Sequence, residues 1–117
     1  MRTFYGYAKC STCRKAKAYL LARGIACKEI DITIAPPPKA VSAGILRTGR
    51  YTIQDLFNRS GELYRSLKMK EKIKTMSHEA LLELLARHGK LIKRPIVTDG
   101  KCTTVGFDEA VMRAVWG

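Results

Sequence analysis

Thr3-Phe4-Tyr5-Gly6-Tyr7-Ala8-Lys9-Cys10-Ser11-Thr12-Cys13-Arg14-Lys15-Ala16-Lys17-Ala18-Tyr19-Leu20-Leu21 runs a strand, a dithiol and a helix together without a break. The stretch from Arg2 to Tyr7 has the aromatic and β-branched content of a strand. After Cys10, residues Ala16, Tyr19 and Leu20 recur at helical spacing, and Gly24 marks a C-cap. Cys10 and Cys13 thus stand three residues apart at a helix start, within Cα reach of a disulfide. The unpaired N–H groups and partial positive charge of a helix N-terminus both stabilise a thiolate. Lys9, Arg14 and Lys15 add charge of the same sign. Cys10, at the mouth of the helix, is expected to ionise more readily than Cys13, one turn inside it. Thiol–disulfide exchange needs that asymmetry, with one attacking and one resolving sulfur. A closed zinc site would need four ligands, and Cys27, Cys102, His78 and His88 are all isolated, so no metal is expected. A purely structural pair of cysteines remains the plain alternative.

Outward from this stretch, Ile25 to Ile32 read as a second strand. Ile25, Cys27, Glu29 and Asp31 fall on one face, and Ala26, Lys28, Ile30 and Ile32 on the other. Strand, helix and strand within about thirty residues make a right-handed crossover with a parallel pair. Ala35-Pro36-Pro37-Pro38 ends that unit, since proline lacks the ladder donor. Helices are expected over Lys39–Leu46, Ile53–Tyr64 and Ser77–Arg87, the last capped by Ser77, faced by Leu81, Leu84 and Leu85, and closed by Gly89. Strand character returns at Pro95-Ile96-Val97-Thr98. It turns at Asp99-Gly100 and comes back through Cys102-Thr103-Thr104-Val105. A last helix starts from Asp108, with Phe107 and Met112 as a hydrophobic staple and Val111, Ala114 and Val115 facing inward. Cys27 and Cys102 both read as core-facing strand residues.

The resulting fold class is α/β. A thioredoxin-like four-stranded mixed sheet carries helices on both faces, with a helical insertion between the second and third strands. The 117 residues fit one domain, with 1–34 and 91–117 as sheet core and 35–90 as insertion. With 46% hydrophobic and 27% charged residues the chain is expected to fold rather than stay disordered. No leader pattern and no membrane-length apolar run are evident, so a cytoplasmic, membrane-free monomer is expected, and any disulfide there would be transient or regulatory. The formal charge of +12 points to anionic partners or a solvated basic surface. Lys68, Lys70, Lys72 and Lys74 alternate, a spacing that wraps around a helix, and no stacking-aromatic motif accompanies them. Direct nucleic-acid binding is therefore not expected.

Tyr5-Gly6-Tyr7-Ala8-Lys9-Cys10-Ser11-Thr12-Cys13-Arg14-Lys15-Ala16 resembles the opening of the arsenate-reductase-like family, which includes the Spx-type transcription regulators. Asn58-Arg59-Ser60-Gly61, Tyr64-Arg65-Ser66-Leu67, Leu91-Ile92-Lys93-Arg94-Pro95-Ile96-Val97 and Val105-Gly106-Phe107-Asp108-Glu109 extend the resemblance over nearly the whole chain. The resemblance implies Cys10 as nucleophile, Arg59 and Arg94 as oxyanion ligands, and Pro95 as a cis proline against the cysteines, while Cys13 is the candidate resolving thiol that the dithiol spacing offers. Guanidinium forks suit tetrahedral oxyanions because they offer paired N–H donors. It also implies a small oxyanion or thiol substrate and no bound cofactor. Glutathione, or a redox partner protein of the thioredoxin or glutaredoxin type, would supply electrons. RNA polymerase is the partner in the alternative, a redox regulator switched by Cys10 and Cys13. Two positions depart from the arsenate-reductase pattern. Gly106 stands where a third arginine is looked for, and Cys13 where serine is usual.

Overall fold

Strand character before the dithiol and helical spacing after it resolve, among the described residues, into ten helices and strands. The computed structural model describes residues 2–117. In chain order these are β1 (Arg2–Gly6), α1 (Ser11–Ala22), β2 (Cys27–Asp31), α2 (Lys39–Arg47), α3 (Glu62–Ser66), α4 (Met69–Thr75), α5 (His78–Arg87), β3 (Ile96–Thr98), β4 (Thr103–Val105) and α6 (Glu109–Trp116). Short 3-10 turns cover Ile53–Leu56 and Gly89–Leu91. The chain divides into two compact units, one formed by the residues up to Asp31 with Arg94–Gly117, the other by Ile32–Lys93.

The first unit holds the sheet, in strand order β2-β1-β3-β4. β1 pairs parallel with β2 and antiparallel with β3, and β4 returns antiparallel beside β3. The mixed four-stranded sheet is the one expected. Phe4 lies opposite Val97 in register, and both bury against Cys13, Ala16, Tyr19 and Leu20 of α1 and Met112 and Trp116 of α6. Burying a side chain such as Leu20 stabilises the unit by about 1.5–3 kcal/mol. The Trp116 indole N–H donates to Thr104 Oγ1 at 3.0 Å, so the polar end of a buried ring has a partner. α1 ends as its sequence asks. Gly24 takes φ +69, its N–H bonds to Leu21 O and that of Ile25 to Leu20 O, the Schellman arrangement. That spends the Ile25 N–H on the cap, so β2 begins at Cys27 rather than at Ile25.

Two expectations fail in this unit for local reasons. Cys102 is exposed and lies before β4, because Asp99 Oδ1 takes its N–H at 2.7 Å and that of Lys101 at 2.8 Å, completing an Asx turn. In α6 the buried residues are Met112 and Trp116, and Ala114 faces solvent. Asp108 caps this helix as expected, accepting the Val111 N–H at 3.2 Å.

The second unit is built from α2 to α5. Ser77 caps α5 through the Ala80 N–H at 3.1 Å, and Leu81, Leu82 and Leu85 are its buried face, with Leu82 in place of the expected Leu84. The expected helix over Ile53–Tyr64 is absent. Its start is a 3-10 turn with the Thr52 N–H on Asp55 Oδ2 at 2.8 Å. Phe57 is extended and bridges Ile92, and the Gly61 N–H bonds back to Asn58 O at 3.1 Å. Asn58, Ser60 and Gly61 are turn formers that break the helical register. α4 has no counterpart among the expected helices. Its Met69 and Ile73 turn inward or half-inward while Lys70 and Lys74, four apart, share an outer face. Gly89 is enclosed, and a Cβ there would lie 1.8 Å from Ile32 O. Among the described residues no helix is long and apolar enough to cross a membrane.

Candidate active site

Strand β1 delivers the chain to Tyr7, and the Cys10 N–H closes a turn onto Tyr7 O at 3.1 Å. That turn makes Cys10 the N-cap of α1, in extended conformation at φ −89, ψ 119. Its Sγ accepts the Cys13 N–H at 3.4 Å, a bond within the sulfur range. Cys10 therefore occupies the position normally held by a capping serine or aspartate, where exposed N–H groups favour an anion. It is half-buried, whereas Cys13 is 3% exposed.

The two thiols are driven apart. Burial pushes Cys10 up, but the hydrogen bonds from the Cys13 side chain and N–H, together with the Arg94 guanidinium, outweigh it and hold the thiol below its ordinary value. Burial pushes Cys13 up, the hydrogen bond and charge of Cys10 push the same way, and it reaches about 12. The pair thus sets an accessible, more acidic thiol beside a buried, less acidic one. Cys27 is half-buried and raised by burial, a small apolar residue as expected.

Arg94 stands immediately before Pro95, and the peptide between them is cis, as the resemblance implied. The guanidinium carbon lies 5.3 Å from the Tyr7 ring centroid, a cation–π contact that orients the charge toward the thiol turn. Pro95 is buried and its carbonyl accepts the Gly106 N–H at 2.8 Å. Cys10, Cys13, Arg94 and Pro95 therefore meet in the sheet unit. Arg59 belongs to the helical unit, exposed in the turn before α3, and lines a cleft of about 340 Å³ with Lys70 and Lys74. Tyr7 is a site residue that sequence reasoning misses. Its carbonyl sets the turn and its ring holds Arg94, and the available signal is an aromatic three residues ahead of a capping cysteine. Gly106 is buried at φ +72, a conformation that resists any side chain, arginine included. Among the described residues no three His, Cys, Asp or Glu side chains gather as a metal site.

Known proteins are similar to this chain over most of its length. The chain is 46% identical over 114 residues to an uncharacterised protein, YusI, of Bacillus subtilis, covering 97% of each chain. It is 29% identical to the global transcriptional regulator Spx of Streptococcus agalactiae, covering 97% of this chain and 82% of that one. The solved arsenate reductase of Vibrio cholerae superposes with a TM-score of 0.75 at 28% identity, over 89% of this chain and 87% of that one. The shared fold is thioredoxin-like. The ArsC family model matches residues 5–115, so the chain is a member of the ArsC family.

Proposed function

We propose that this protein is a thiol-dependent oxidoreductase in which Cys10 attacks, Cys13 resolves and Arg94 holds negative charge beside them. The observation that carries this reading is the Cys10 Sγ at the cap of α1, accepting the Cys13 N–H at 3.4 Å beside a buried second thiol. The Cys10 thiolate attacks the oxidised substrate and expels a thiolate from a disulfide, or water from a protonated oxyanion, so that a covalent Cys10–substrate bond replaces the one broken. Cys13 then attacks Cys10 Sγ, the substrate leaves with the electron pair, and a Cys10–Cys13 disulfide remains. Burial is the main cause that holds Cys13 protonated, and once Cys10 is bonded to substrate its charge and hydrogen bond no longer add to it, which favours attack by the second thiol at that step. Glutathione or a small redox protein of the thioredoxin or glutaredoxin type returns the two electrons.

A small oxyanion or a disulfide fits the guanidinium of Arg94 and the open helix end. Arg59 is proposed as a second oxyanion ligand on the family resemblance alone. Gly106, at φ +72, supplies no third guanidinium, so arsenate turnover is expected to be weak. The test is turnover of arsenate and of small disulfides by wild type, Cys10→Ser and Cys13→Ser with glutathione and glutaredoxin. Loss of all turnover in Cys10→Ser supports the reading. Full turnover in Cys10→Ser overturns it.

The similarity to Spx, together with both cysteines in the helix cap, favours a second reading. In it the Cys10–Cys13 state controls binding to RNA polymerase, and the basic surface speeds encounter with an acidic partner. Retention of polymerase subunits by oxidised wild type but not by Cys13→Ser would support it.

A further inference from the structure

Arg94 brings a positive charge to the dithiol with no carboxylate to hold it. Among the described residues no ion pair includes it. Its guanidinium carbon lies 5.3 Å from the Tyr7 ring centroid, and both residues are half-buried. Burial works against the Cys10 thiolate, while the hydrogen bonds of Cys13 and the charge and hydrogen bond of Arg94 work for it. Cys13 and Arg94 are thus the titratable and charged groups that act on Cys10. An arginine side chain loses much rotamer freedom when held in one place, and a weak hydrogen bond to sulfur does little to offset that loss. A second contact is needed, and the Tyr7 ring supplies it. The backbone of Tyr7 is fixed independently of that ring. Its carbonyl accepts the Cys10 N–H at 3.1 Å, and a backbone hydrogen bond links Tyr7 to Cys13.

We propose that Tyr7 is a positioning residue whose ring holds the Arg94 guanidinium beside Cys10 while leaving its charge uncancelled. The inference rests on the reading of Cys10 as the attacking thiol. An aromatic face attracts a cation through its quadrupole and adds no net charge. A carboxylate in the same place would also hold the guanidinium, but its own charge would oppose the thiolate. With the ring in place the cation is already set beside the sulfur when substrate arrives, and nothing has to reorganise at the attacking step. Without the ring the guanidinium spreads over other staggered rotamers. The thiolate then keeps the Cys13 bonds but loses its cation for part of the time. The ring therefore acts through Arg94, and removing it takes away no more than Arg94 itself contributes. The same cation draws an anionic reagent to Cys10, so the ring affects charged and neutral reagents unequally.

The experiment follows alkylation of Cys10 in the reduced protein against pH, by iodoacetamide and by iodoacetate, with exposed Cys102 as internal reference. Wild type is compared with Tyr7→Phe, with the ringless Tyr7→Leu and Tyr7→Met, with Arg94→Ala, and with Tyr7→Leu combined with Arg94→Ala. Both backbone bonds of Tyr7 survive these substitutions, so the comparison isolates the ring. In the ringless variants iodoacetamide at pH 6 is expected to react with Cys10 about threefold more slowly or worse. On the alkaline plateau, where Cys10 is fully ionised, the rate is expected to stay within about twofold of wild type. The preference for iodoacetate over iodoacetamide is expected to fall in the same variants, and Tyr7→Phe to keep both wild-type properties. With Arg94 already replaced, Tyr7→Leu is expected to add nothing. Ringless variants that match wild type overturn the proposal, as does equal slowing at pH 6 and on the plateau. A Tyr7→Phe profile like that of Tyr7→Leu overturns it too, as does further slowing by Tyr7→Leu in the Arg94→Ala background. Full turnover by Cys10→Ser overturns instead the reading beneath it, a result that no alkylation profile can produce.

Discussion

Replacing Cys13 with alanine tests the buried thiol through the alkaline limb of stability. Cys13 is 3% exposed and its thiol is pushed from 9.0 to about 12. Between those two values the unfolded chain gives up the Cys13 proton while the native chain keeps it. The native state then binds more protons, so stability falls as pH rises through this window and is fully present below pH 9. Each unit costs up to about 1.4 kcal/mol, so at pH 11 the loss is on the order of 2–3 kcal/mol relative to pH 8. Cys13→Ala removes this dependence and adds a cost of about 1 kcal/mol for lost packing, which does not vary with pH. Cys10 is held below its ordinary value, so it contributes in the opposite sense and below pH 9. Its part is therefore nearly complete by pH 9, and the change above that point reports Cys13. Urea unfolding at pH 8 to 11 under a phosphine reductant, followed by the fluorescence of buried Trp116, reads the difference. Wild type is expected to be more stable at pH 8 and less stable than Cys13→Ala at pH 11. A constant gap between the two across this range would refute the burial argument.

Three further outcomes are expected. At neutral pH, iodoacetamide should modify Cys10 ahead of the more exposed Cys102, and Arg94→Ala should slow Cys10 and leave Cys102 unchanged. Mass mapping of partially alkylated protein gives both rates, and equal slowing at the two cysteines would remove Arg94 from the site. Gly89→Ala should cost about 3 kcal/mol or more, since its methyl would meet the Ile32 carbonyl oxygen at 1.8 Å and backbone must move to relieve it. A loss under about 1 kcal/mol in urea unfolding would contradict that contact. Thr104→Val leaves the buried Trp116 indole N–H without its acceptor and should cost about 1–3 kcal/mol by the same assay.

The parts of this molecule that depend on neighbours along the chain are legible in the amino-acid sequence. The Cys10 cap, the Gly24 stop, the Ser77 and Asp108 caps and the parallel β1–β2 pair each rest on residues a short distance apart, where spacing determines which groups can meet. The greater acidity of Cys10 follows from its place at the helix mouth. What depends on distant segments is not legible there. The Ile53–Tyr64 stretch has helical periodicity, yet Phe57 pairs with Ile92, thirty-five positions away, and that pairing outcompetes the local helix. Alternation makes Cys102 core-facing, but Asp99 captures its N–H and holds it in the turn. The sequence ties Arg94 to Cys10 only through family resemblance, because eighty-four positions separate them and only the sheet, by placing β3 next to β1, closes that distance. Caps and turns are settled by bonds within one or two turns of chain, whereas strand partners and charge pairs are settled by which segments the core brings side by side.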